Sequence, residues 1–410
     1  MPQLDAGDGA RSHPASAERI PIGVADLTFR HAFGPDLTPA EAAQVIELLR
    51  RAYNGGPAWF DLVDEPLDHF AWKVRETPFT TRVELIEQAN SIVGFNWSIW
   101  RRFLVGGREH VMVDGGELAF DPSLQGRGMF SALVRVWNTL PPTSGILCYF
   151  GVTTHPAVRT AEQALVSGYF PFGNNVRLLV RPLDVRRMVA GSAELSVQGG
   201  SRTSMALAAR ARKLPRPLIL RRLAWRLRML AHRARHRPEH AGPRAWTIRT
   251  IDRFDESIDS LFERAAAAFD VIQVRDATYL NWRFCDPRGG PFVVRLAEEQ
   301  GRPLGYAVLL ATPNRAVIAD LLVLPDRLDV ARGLVSDALD HFRSRGAPSV
   351  AVRTVERHPY NEVFLRAGFQ PRKASAVLGC YPEAPEAAAY DVLRNPRARV
   401  HFMYADTDHV

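Results

Sequence analysis

A chain of 410 residues exceeds one ordinary core, and at roughly 150 residues per domain it predicts two or three domains. With 46% hydrophobic and 23% charged residues, and no apolar run near the roughly 18 residues of a membrane-spanning helix, it reads as a globular protein without one. Its net charge of +8 sits in residues 201–240, where twelve Arg or Lys face one acid, Glu239; 12 − 1 = +11 there leaves −3 elsewhere, which excludes a basic nucleic-acid surface spread over the whole protein.

Residues 1–23 are polar and rich in Gly, Pro, Ala and Ser, and they lack the apolar stretch of a secretory signal. A disordered lead-in and a cytoplasmic protein are expected. The first helix is predicted over 38–53. Thr38 can cap it, Pro39 suits its first position, and Glu41 completes a capping box. Val45, Ile46, Leu48 and Leu49 supply its apolar face. The three cysteines, Cys148, Cys285 and Cys380, are far apart and form no CxxC pair, so neither a disulfide framework nor a metal site is expected.

Two stretches of the chain correspond. Trp72-Lys73 leads through Val83 and Leu85 to Ile92-Val93-Gly94-Phe95. Trp282-Arg283 leads through Phe292-Val293-Val294 to Pro303-Leu304-Gly305-Tyr306. The Trp-to-Gly spacing is 94 − 72 = 22 in one and 305 − 282 = 23 in the other. Each reads as strand, polar turn, strand, with turns at 87–90 and 298–301. Both halves then offer a strand ending in Pro (Pro122, Pro325), a helix, a His-Pro pair (His155-Pro156, His358-Pro359) and a Gly-aromatic pair (Gly168-Tyr169, Gly368-Phe369). An ordered set of matched landmarks is the signature of an internal repeat. It predicts two mixed α/β domains, at 24–187 and 245–405, joined by a linker at 188–244. The counterpart of the first helix is predicted at 255–269. Trp72 and Trp282, which recur together, are expected in the core rather than on a substrate platform.

The most informative run is Glu117 to Val134. A strand ends at Pro122, a turn containing Gly126 and Gly128 follows, and an amphipathic helix begins. The first N–H groups of such a helix lack internal partners, and its dipole adds partial positive charge, so the turn can hold an anion. Glycines let the backbone approach a phosphate closely, and Arg127 adds a cation.

Strand, Pro, three residues and then Gln125-Gly126-Arg127-Gly128 resemble motif A of the GNAT acetyltransferases, and the flanking elements extend the resemblance over most of the first half. Phe130 departs from the family pattern. The resemblance implies two GNAT-like domains, each a mixed, mostly antiparallel sheet flanked by helices. It implies acetyl-CoA, or another acyl-CoA, as co-substrate. Its pyrophosphate would lie on Gln125, Gly126, Arg127, Gly128, Met129, Phe130 and Ser131, and its pantetheine along Leu118, Ala119 and Phe120. In the second half Asp326 and Asp329 replace the glycine turn and would repel a pyrophosphate, so that domain is expected to lack CoA.

Acyl transfer to an amine needs a neutral nitrogen, and a carboxylate can take its proton. Glu117 and Asp114 are the candidates, with Glu117 preferred because it lies within the strand. The Tyr that family members often use as acid is replaced by Ala164, and by Phe364 in the second half; Tyr149 and Tyr169 lie nearby but do not match its position. His155 is read as structural, since the same His-Pro recurs where no glycine turn exists.

In the linker, Leu220, Leu223, Leu227 and Leu230 fall on one side of a helix and arginines on the rest. Such a helix can pack on a domain or, over 216–237, lie on an anionic membrane surface. Nucleic acid is disfavoured because aromatic interleaving is missing. The leading expectation is an N-acetyltransferase acting on a small primary amine, with an amino sugar or glycan precursor favoured if the linker touches membrane. A GNAT-like scaffold on a membrane and a Fem-type, aminoacyl-tRNA-dependent transferase are the alternatives.

Overall fold

The computed structural model describes residues 17–19, 27–138, 143–153, 164–166, 168–184, 245–312, 315–372, 377–383 and 387–407. The linker 188–244, with its basic helix, lies outside the described residues, as does His155.

The first half runs β1 (Ala17–Arg19), β2 (Leu27–Phe33), α1 (Pro39–Ala52), α2 (Pro66–Phe70), β3 (Thr81–Gln88), β4 (Ser91–Val105), β5 (Arg108–Phe120), α3 (Met129–Trp137), β6 (Ile146–Thr153), β7 (Phe170–Pro171) and β8 (Val176–Pro182). The second runs β9 (Thr247–Ile251), α4 (Ser257–Ala266), β10 (Val271–Gln273), α5 (Ala277–Leu280), β11 (Phe292–Glu299), β12 (Arg302–Ala311), β13 (Ala316–Val323), α6 (Leu328–Ser344), β14 (Ser349–Val355), α7 (Asn361–Arg366), β15 (Gln370–Arg372), β16 (Val377–Pro382) and α8 (Ala387–Arg394). This is the mixed α/β architecture expected, with two mostly antiparallel sheets flanked by helices.

Local chemistry explains the elements that the sequence forecast. Thr38 accepts from the Glu41 N–H while the Glu41 carboxylate accepts from the Thr38 N–H, so the predicted capping box starts α1 with Pro39 at its head. Val45, Ile46, Leu48 and Leu49 are buried beneath it. Both hairpins turn through two left-handed residues, Ala89 (φ 47°) and Asn90 (φ 67°) in one, Gln300 (φ 52°) and Gly301 (φ 75°) in the other. That conformation matches the twist of the flanking strands but strains a residue with a Cβ. Ala89→Gly is therefore expected to stabilise the fold by about 1 kcal/mol, read as a higher urea midpoint at unchanged slope.

Three features differ from the sequence expectation. Trp72 and Trp282 lie in single π-helical turns, Ala71–Arg75 and Asn281–Cys285, ahead of the strands rather than within them. Ala17–Arg19, within the segment expected to be disordered, pairs with β2. Most consequential, contiguous stretches of chain do not form separate sheets. The first sheet has the order β1-β2-β3-β4-β5-β6-β16-β7, with β10 from the second half pairing the end of β4, and the second has the order β15-β8-β14-β13-β12-β11-β9. Thus β8 leaves the first half to pair with β14 and β15, and β16 leaves the second to pair with β6 and β7. Both are short apolar strands whose backbone groups can pair with any open sheet edge, so sequence pattern alone does not say which sheet receives them.

The exchange is reciprocal, and so is the contact at its centre. Trp72 and Trp282 stack with ring centroids 5.0 Å apart, and each indole N–H donates to the other's backbone carbonyl, at 3.2 and 3.4 Å. Such aromatic pairing adds about 0.5–1.5 kcal/mol beyond burial. The two tryptophans are core residues, as their recurrence implied.

Candidate functional site

In the first sheet β5 and β6 run parallel but pair only as far as Asp114 and Phe150. Beyond that point β5 continues to Phe120 and β6 to Thr153, and a slot opens between them. Its walls are glycine-rich. Gly115 is exposed, Gly116 and Gly151 are half-buried, and a Cβ added at Gly151 would meet nothing within 4 Å.

The β5 edge facing this slot carries usable backbone groups. The Asp121 N–H donates to Val93 on the β4 side, so the carbonyls of Leu118 and Phe120 face the other way. Two exposed side chains meet them: the Tyr53 hydroxyl donates to Leu118 O at 3.0 Å and Gln125 Nε2 to Phe120 O at 3.1 Å. Ala119 turns its peptide toward β4, paired with Phe95. Of the three residues assigned to pantetheine, Leu118 and Phe120 therefore present the accessible groups.

The turn above the slot is organised in advance. Asp121 accepts from both the N–H and the hydroxyl of Ser123, at 3.0 and 2.8 Å, and takes an ion pair from Arg51 at 3.2 Å. Gly126 (φ 75°) and Gly128 (φ 76°) are left-handed, and Gly128 caps α3. A Cβ at either would meet nothing within 4 Å, so the backbone there faces open space. Gln125, Gly126, Arg127 and Gly128 are exposed, while Met129 is buried against Leu124 and Leu133. Phe130 and Ser131 are half-buried, and the Phe130 ring lies edge-on to Trp137 at 6.2 Å. Met129 and Phe130 thus contribute to such a cradle only through their backbone. Exposed glycine N–H groups, the positive end of a nine-residue helix and Arg127 together fit a pyrophosphate.

The two carboxylates differ sharply. Glu117 accepts from the indole N–H groups of Trp59 and Trp97, and its oxygens lie 2.8 and 3.0 Å from Lys73 Nζ. Lys73 is itself buried, with its ammonium 5.0 and 4.7 Å from the rings of Trp59 and Trp97. Counting from Pro122 and Pro325 (325 − 122 = 203), the equivalent of Glu117 is Asp320. Asp320 plays the same part, accepting from Arg275 at 2.9 and 3.1 Å and from the Tyr306 hydroxyl at 2.8 Å. A carboxylate held by several donors thus stands at this position in both halves, and in Glu117, the residue the sequence favours as base, both oxygens are already engaged.

Asp114 stands where the strands part. It is buried, and Arg101 Nη2 donates to its Oδ2 at 2.9 Å, while Oδ1 has no hydrogen-bond partner among the described residues. Burial pushes its carboxyl up to about 6, against the lowering effect of Arg101. Tyr149 flanks the same end of the slot, one residue before Phe150, but it contacts Arg82 (5.4 Å from ring to guanidinium) rather than Arg101. Tyr169 lies against Tyr381, and Ala164 is exposed.

The second half has the same parting of strands and no slot. Residue 318 to 323 and 352 to 355 extend past the single pairing Val317–Ala351. The equivalents of Gly115, Gly116 and Gly151 are Ile318, Ala319 and Thr354, all buried to 0% exposure. A 3-10 turn near the end of the described chain, Tyr404–Asp406, packs against both β13 and β14. The backbone edge is taken as well: His401 Nε2 lies 3.0 Å from Leu321 O, and the Tyr360 hydroxyl bonds both the N–H and carbonyl of Val323, at 3.0 and 3.2 Å. His358 is buried against His401 and accepts the Tyr360 N–H, a structural role for the repeated His-Pro. To the charge of Asp326 and Asp329 the structure adds a space filled by side chains, which the sequence did not signal.

Residues 256–369 match the family model of the acetyltransferase (GNAT) family. No curated protein matches the chain. Among solved structures, it is similar to a conserved protein of unknown function from Enterococcus faecalis described as a probable N-acyltransferase, with 12% identity, TM-score 0.54, and 87% of this chain and 73% of that one covered. It is similar to Saccharomyces cerevisiae N-myristoyltransferase with bound myristoyl-CoA, at 13% identity, TM-score 0.51, and 86% and 82% coverage. A tandem GNAT protein from the clavulanic acid biosynthesis pathway aligns at 15% identity, TM-score 0.51, and 88% and 100% coverage. At these identities the shared feature is the fold. The family match falls on the half whose slot is filled.

Proposed function

We propose that this chain, a tandem protein of the GNAT superfamily, is an N-acyltransferase working from its first half, taking an acetyl group from acetyl-CoA and passing it to a primary amine. The observation that carries this reading is the contrast between the two slots. One is walled by Gly115, Gly116 and Gly151 beneath the Gly126–Gly128 turn; the other holds Ile318, Ala319, Thr354 and the Tyr404–Asp406 turn. Gln125 to Ser131 would hold the pyrophosphate, and the carbonyls of Leu118 and Phe120 would pair with pantetheine once Tyr53 and Gln125 swing aside.

A short acyl group is supported by what lies below the slot. The strands close at Asp114 and Phe150, and Met112, Cys148 and Phe150 are buried there. In the reaction the neutral amine nitrogen bonds to the acyl carbon and the carbon–sulfur bond breaks. The nitrogen's proton passes to Asp114 Oδ1, directly or by way of one water, and solvent protonates the thiolate. Asp114 suits this role because one oxygen is unengaged and its carboxyl is held near neutrality.

Calorimetry tests the reading. Wild type is expected to bind one acetyl-CoA per chain at about micromolar Kd, and myristoyl-CoA more weakly. Two sites per chain would contradict the filled second slot, and tighter binding of myristoyl-CoA would overturn the short acyl group. No binding by folded protein would overturn the acyltransferase reading.

A further inference from the structure

The filled slot of the second half is wired to the candidate base of the first. Starting from Asp114 Oδ2, Arg101 Nη2 lies at 2.9 Å, and Arg101 Nη1 donates to the Tyr279 hydroxyl at 3.1 Å. That hydroxyl donates in turn to Ala405 O at 2.6 Å. Ala405 belongs to the turn inserted between β13 and β14, and its neighbour Asp406 is paired with Arg275 at 2.8 Å, both at 0% exposure. The Tyr279 oxygen is therefore a two-ended bridge, accepting from one half and donating to the other.

We propose that Tyr279 is a positioning residue for acyl transfer, holding Arg101, and through it the Asp114 carboxyl, in register with the turn at Tyr404–Asp406. This rests on the assignment of Asp114 as base. The second half then has a task that needs no co-substrate of its own: its closed slot is the socket that fixes one end of the chain of contacts.

The charges facing Asp114 come from several elements. Arg101 on β4 lowers its pKa, as does Arg283 on the 281–285 turn, and Asp406 raises it; Tyr279 on α5 faces the same cluster. Tyr279 is buried and keeps its own proton, because burial raises its pKa. Removing its hydroxyl takes one acceptor from Arg101 and loosens the hold on Asp114. The carboxylate then loses part of its stabilisation, and its pKa rises further.

Tyr279→Phe tests this, since it removes one oxygen and leaves the ring against Phe79 and Trp282. Asp114 is followed by NMR of 13C-carboxyl-labelled aspartate, assigned by its absence in Asp114→Asn, and the pH profile of kcat/KM is recorded beside it. The expected result is a titration midpoint and an acidic limb that both move up, by about half a pH unit or more, with acetyl-CoA affinity unchanged and an intact near-UV dichroism spectrum. An unmoved or lowered midpoint overturns the positioning role while leaving the acyltransferase reading intact. A raised midpoint with an unmoved kcat/KM profile removes Asp114 as the base, and the positioning role with it.

Discussion

Gly128→Glu is expected to abolish acetyl-CoA binding, weakening it by at least about a hundredfold, or nearly 3 kcal/mol. Two effects add. A carboxylate would stand at the head of α3, where the helix dipole and the exposed N–H groups otherwise favour an anion, and it would repel the pyrophosphate. A side chain at φ 76° also strains the backbone by about 1–2 kcal/mol. Because a Cβ at this position meets nothing within 4 Å, the protein itself should still fold. Gly128→Ala carries the strain without the charge and should lose only about tenfold in affinity. Calorimetry on both variants, alongside their melting curves, separates the two terms. Undiminished binding by Gly128→Glu would sink the placement of the pyrophosphate.

Asp114→Asn is expected to lower kcat by about 10²- to 10⁴-fold, the usual worth of a general base, with the affinity for acetyl-CoA preserved. The sign of the pH effect follows from the group's state. The carboxylate is the active form, and with its pKa near 6 the wild-type rate should fall as pH drops through that value. In Asp114→Asn this acidic limb should vanish. Rates must be compared at equal folded fraction, because the substitution takes a carboxylate charge from beside buried Arg101. Glu117→Gln should behave differently. It takes a carboxylate charge from beside buried Lys73, a loss of about 3–5 kcal/mol in stability, and the surviving folded protein should retain the limb near pH 6. A limb lost in Glu117→Gln and kept in Asp114→Asn would reverse the assignment.

Much of the frame was legible because it is written in local chemistry. Thr38, Pro39 and Glu41 specify a helix start wherever the helix ends up. The glycines at 126 and 128 announce a turn, and both adopt the left-handed conformation that glycine favours. The repeat pointed to two similar cores, and Trp72 meets its own counterpart across their junction. What stayed hidden depends on space rather than spacing. Strict alternation along β5 puts residues 114 and 117 on opposite faces. The irregularity in its pairing between Asn96 and Ser98 brings both into play against the junction, one through Arg101 and Tyr279, the other through Lys73. Three glycines in one half and Ile318, Ala319 and Thr354 in the other decide which slot is open, yet each is unremarkable in its own stretch of sequence. The preference for Glu117 came from its place within the strand, which says nothing of the three donors around it.

The exchange of β8 and β16 also sets the order in which the molecule can be made. During synthesis the first sheet can assemble from β1 to β6, but the strand that pairs beside β6 is not translated until residues 377–382, more than two hundred positions later. Until then the nascent chain presents an unpaired strand edge beside the open slot, the sort of surface that invites wrong partners. The second sheet, by contrast, receives β8 from chain already synthesised. The native fold would thus emerge in one late, cooperative step. A gene cut at the linker should yield one half without β10 and β16 and another without β8, which recover only when expressed together.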